Sequence, residues 1–75
     1  MDIEYRLRKL ESSYRHALSA AVAARARYLA LDGEANSSPA AIERAKAKWQ
    51  RLESNKTFLV AKMAALEKLE REAVN

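Results

Sequence analysis

Leu31-Asp32-Gly33-Glu34-Ala35-Asn36-Ser37-Ser38-Pro39 contains the only glycine and the only proline of this 75-residue chain. Glycine adopts the left-handed conformation that commonly closes a helix. Proline fits a first helical turn, where its missing N–H costs nothing, and Ser38 before it is placed to cap. The stretch therefore reads as the end of one helix (about residues 2–31), a turn (32–38), and the start of another (about 39–73).

Outward from this break, apolar residues step alternately by four and three. Before it stand Ile3, Leu7, Leu10, Tyr14, Ala17, Ala21, Ala24, Tyr28 and Leu31; after it, Ile42, Ala45, Trp49, Leu52, Lys56, Leu59, Met63, Leu66, Glu70 and Ala73, of which only Lys56 and Glu70 are polar. A mean step of about 3.5 residues keeps one stripe of a helix turned towards a helical partner. No alternation of period two suggests a strand. The fold class is all-α: an antiparallel, coiled-coil-like two-helix hairpin forming a single domain. A register in which facing positions sum to about 73 sets Ala24 against Trp49 and Tyr28 against Ala45, small against large as close packing requires. Lys56 reads as a polar seam position whose stem crosses small residues and whose ammonium reaches Glu53 or solvent.

Two rods cannot cover every apolar residue. Leu18, Val22 and Leu29 lie beside the seam on the first helix, and Phe58, Ala65 and Leu69 beside it on the second, with Val60 on the opposite shoulder. Leu18, Val22, Leu29, Phe58, Ala65 and Leu69, without Val60, are the candidate protein interface. A second copy covering them would make a homodimer and a four-helix bundle.

Lysine and arginine number 14 against 10 aspartates and glutamates, giving a small basic protein of net charge +4. Arg25, Arg27, Arg44, Lys46, Lys48 and Arg51 gather near the turn end and are candidates for contact with an anion or nucleic acid. The aromatics that would stack on bases, Tyr28 and Trp49, are committed to the seam.

The remaining chemistry is sparse. There is no cysteine, so disulfides and thiolate metal sites are excluded, and a reducing, cytoplasmic setting is expected. His16 is the only histidine and lacks neighbouring ligands. One glycine cannot build a phosphate-binding loop, and no nucleophile has a base beside it. No catalysis, cofactor, metal or small-molecule substrate is expected, and no membrane span. In architecture such a hairpin is similar to the plasmid copy-number regulators that bind paired RNA loops and to the small co-chaperones of type III secretion needle subunits, although it shares no motif with either group. The function expected is a non-catalytic protein–protein interaction module, such as an adaptor, co-chaperone or regulator. The alternative is a nucleic-acid-binding bundle that uses the basic turn end.

Overall fold

The computed structural model describes residues 2–74, and side chains up to residue 73. Two helices fill nearly all of it: α1, Ile3–Gly33, and α2, Pro39–Val74. They fold back on each other into a rod of 59 × 15 × 14 Å.

Local chemistry sets the ends. The Asp2 carboxylate accepts a hydrogen bond from the Tyr5 N–H at 3.1 Å, capping α1, and Glu4 places negative charge in its first turn. At the start of α2 the Ala41 N–H donates to Ser38 Oγ at 3.1 Å, so Ser38 is the cap and Pro39 the first helical residue, as the sequence indicates. The other end of α1 differs from expectation. No described residue has positive φ, and Gly33 completes the helix. The chain leaves through Glu34 in an extended conformation (φ −91°, ψ 127°), with the Glu34 N–H bonded to the Leu31 carbonyl at 3.2 Å. An extended residue and one short-range bond end the helix, so no left-handed closure is needed and α1 runs two residues beyond the expected stop.

The interface follows the ladder. Every rung of α1 is buried or half-buried, and no other α1 residue is. On α2 the rungs from Ile42 to Glu70 behave alike, Ala73 is exposed, and Ala41, Lys46 and Glu53 join the half-buried set. The deepest positions are Ala17, Ala21, Ala24 and Leu59, so the centre of the seam is built mostly from alanine. Tyr28 and Trp49 stack with ring centroids 5.6 Å apart and planes at 16°. The pairing of Ala24 with Trp49 and Tyr28 with Ala45 does not include this contact. Helical side chains lean towards the amino terminus of their own helix. In an antiparallel pair Tyr28 and Trp49 therefore lean towards each other.

Such a rod hides little surface. It exposes 5819 Å², whereas a compact monomer of 8.4 kDa exposes about 4600 Å². The radius of gyration, 17.1 Å, likewise exceeds the roughly 11 Å of a compact chain this long.

Candidate interaction surfaces

Side chains beside the seam fall on two opposite faces of the rod, and a simple positional rule sorts them. Turning one helix upside down exchanges its flanks. In an antiparallel pair, residues that immediately precede a rung therefore share one face on both helices, and residues that immediately follow a rung share the other.

The first face carries a groove along the hairpin. Near the turn its floor is Ala20, Ala24, Ala41, Ala45 and Leu52, with Arg27, Arg44 and Lys48 at the rim. It continues past Ser13, His16, Asn55 and Leu59 to Leu10, Ala65 and Leu66, rimmed there by Arg6, Lys9 and Lys62. Arg51 and Phe58 precede Leu52 and Leu59 and so belong to this face, as does Leu69. The cations here are Arg6, Lys9, Arg27, Arg44, Lys48, Arg51 and Lys62. The carboxylates at equivalent positions are Asp2 and Glu72, both at the open end of the hairpin. This is the cationic face.

The second face is mixed. Glu4, Arg8, Glu11, Arg15, Arg25 and Asp32 on α1 and Glu43, Lys46, Glu53, Glu67 and Arg71 on α2 interleave their charges around Leu18, Val22, Leu29 and Val60. The last four are 38%, 61%, 46% and 47% exposed.

The candidate interface is thus divided. Leu18, Val22 and Leu29 lie together on the mixed face, while Phe58, Ala65 and Leu69 lie on the cationic one, back to back with them. The six basic candidates divide too: Arg27, Arg44, Lys48 and Arg51 stay together, but Arg25 and Lys46 fall on the mixed face. Arg6, Lys9 and Lys62 extend the basic group down the groove; the signal that places them is their position one residue before a rung.

Two features of the seam bear on electrostatics. Lys56 Nζ lies 3.1 Å from Glu53 Oε2, with the lysine side chain 21% exposed. Trp49 Nε1–H donates to Glu53 Oε1 at 3.2 Å. The Lys56 hydrogen bond above all, with help from Trp49 and the charge of Arg25, holds the Glu53 carboxyl below the usual carboxylate range, against the opposing effect of burial. The other ion pair, Glu4–Arg8 at 3.7 Å, is exposed and within one helix. Among the described residues no salt bridge ties α1 to α2. His16 Nδ1 donates to the Ser12 carbonyl at 2.9 Å on an exposed surface. No cluster of metal-ligating side chains occurs among the described residues, and no described helix is long and apolar enough to cross a membrane.

No family model matches the chain, and comparison with curated proteins and with solved structures finds no match.

Proposed function

We propose that the chain is a non-catalytic protein–protein interaction module that pairs with a second copy of itself through the mixed face, forming a four-helix bundle, and holds a protein partner on the apolar surface that remains. The observation that carries this reading is the surface left open: about 1200 Å² more than a compact chain of this mass exposes, with apolar stripes on both sides of the rod. A standard interface takes about 800 Å² from each partner. Charge decides between the faces. Pairing two cationic faces would oppose seven cations to seven, whereas two mixed faces offer both signs around Leu18, Val22 and Leu29. Nucleic-acid binding at the turn end has less support, because Arg25 and Lys46 are on the other face and Glu53 lies near them.

Sedimentation equilibrium over a range of concentrations tests the pairing. The wild type should reach the dimer mass, Leu18→Glu with Val22→Glu should stay monomeric, and Phe58→Glu with Leu69→Glu should still dimerise. A wild type monomeric throughout, or a dimer lost only with the second pair, would overturn the assignment.

A further inference from the structure

The cationic face is long, apolar along its floor and basic along its rims, and this combination specifies an occupant. We propose that the groove binds an acidic amphipathic helix of about 20 residues from another protein, which would complete a three-helix arrangement on each hairpin. The inference rests on the reading of the chain as an interaction module and adds the chemistry of the partner.

Three observations favour this occupant. The floor is alanine and leucine, with Ala20, Ala24, Ala41 and Ala45 at the turn end and Leu10, Ala65 and Leu66 at the open end. Small side chains let a third helix approach to the usual 8–10 Å axial spacing, and its own apolar stripe would cover a floor that phosphates would leave bare. The rims are cationic towards both ends, with Arg6, Lys9 and Lys62 at one and Arg27, Arg44 and Lys48 at the other, and the stretch between them, past Ser13, His16 and Asn55, is polar and carries no carboxylate. Aspartate and glutamate on both flanks of the incoming stripe would pair with them. Finally, the segment of α1 that lines the groove from Leu10 to Leu31 spans about 32 Å, which sets the length of the partner helix.

The same face is a poor platform for bases. Phe58 is its one exposed aromatic, 58% exposed, and the Lys62 ammonium sits 5.2 Å over that ring, where a base would stack. A second copy of the chain is disfavoured by like charge.

The probe is a labelled synthetic 20-residue peptide with leucine at alternating three- and four-residue steps and glutamate on both flanks. It is compared, by fluorescence anisotropy, with a scrambled peptide of the same composition and with a DNA duplex. The wild type should bind the amphipathic peptide at least about tenfold more tightly than the scrambled one. Arg27→Glu with Lys48→Glu, and separately Arg6→Glu with Lys62→Glu, should each weaken binding by about tenfold or more, with helicity by circular dichroism unchanged. Leu18→Glu with Val22→Glu should bind as the wild type does. That variant separates the two readings, because loss of self-association leaves the groove intact. No binding of the peptide overturns the proposal, as does equal binding of the scrambled peptide. It also fails if only the turn-end pair matters, or if the duplex binds more tightly than the peptide with a steep salt dependence.

Discussion

Replacing Gly33 with alanine should stabilise the hairpin, and the sign of the effect reports how α1 ends. In the usual glycine-closed helix the glycine has positive φ, and a Cβ there costs about 1–2 kcal/mol. Here Gly33 keeps helical geometry, and a Cβ built on it meets nothing within 4 Å. Alanine at such a position narrows the unfolded ensemble and strains nothing, contributing about 0.4–1 kcal/mol. For a domain this size that corresponds to a rise in Tm of about 2–8 °C. The assay is thermal unfolding followed by circular dichroism, with both proteins at one fixed concentration so that self-association adds equally to each. A Tm lowered by several degrees would refute the reasoning and place Gly33 in the left-handed conformation after all.

Other side chains give equally direct expectations. Trp49→Ala removes the stack on Tyr28 and should cost towards the lower end of about 3–5 kcal/mol in urea unfolding, because Trp49 is only half-buried. Trp49→Phe keeps a ring against Tyr28 but loses the N–H donated to Glu53, and should cost about 0.5–1.5 kcal/mol. Lys56→Leu should raise stability by about 1 kcal/mol, since an apolar rung replaces a charged one on the seam, with the same denaturation assay as the check. The depressed Glu53 carboxyl contributes stability that is present above its unfolded pKa and lost as pH falls through the folded value. An NMR titration should find that carboxyl below the usual carboxylate range in the wild type and shifted upwards in Lys56→Met.

The ladder made the fold legible because burial in a two-helix rod is one-dimensional: a residue either faces the partner rod or it does not. That is why every α1 rung from Ile3 to Leu31 is buried or half-buried and no other α1 residue is; Ser38 and Pro39 mark the start of α2 by their capping chemistry. The end of α1 was less legible, since Gly33 permits a left-handed turn without requiring one. The contact of Tyr28 with Trp49 depends on the lean of long side chains between layers, which a list of facing pairs omits. Apolar exposure beside the seam was readable residue by residue, but grouping Leu18 with Phe58 was not justified by spacing. Leu18 follows a rung and Phe58 precedes one. Only the antiparallel arrangement converts that difference into opposite faces, and it divides Arg25 from Arg27 in the same way.

The back-to-back placement of the two stripes has a consequence for valency. Hairpins joined through the faces that bear Leu18 would point their grooves away from each other, outward from the assembly. A partner with one acidic helix would then load such a pair at two independent ends, without the gain in avidity that two sites on one side would give. A partner with two such helices on a short linker could not bridge both ends of one pair, and would instead join successive pairs into a chain whose length tracks the mixing ratio.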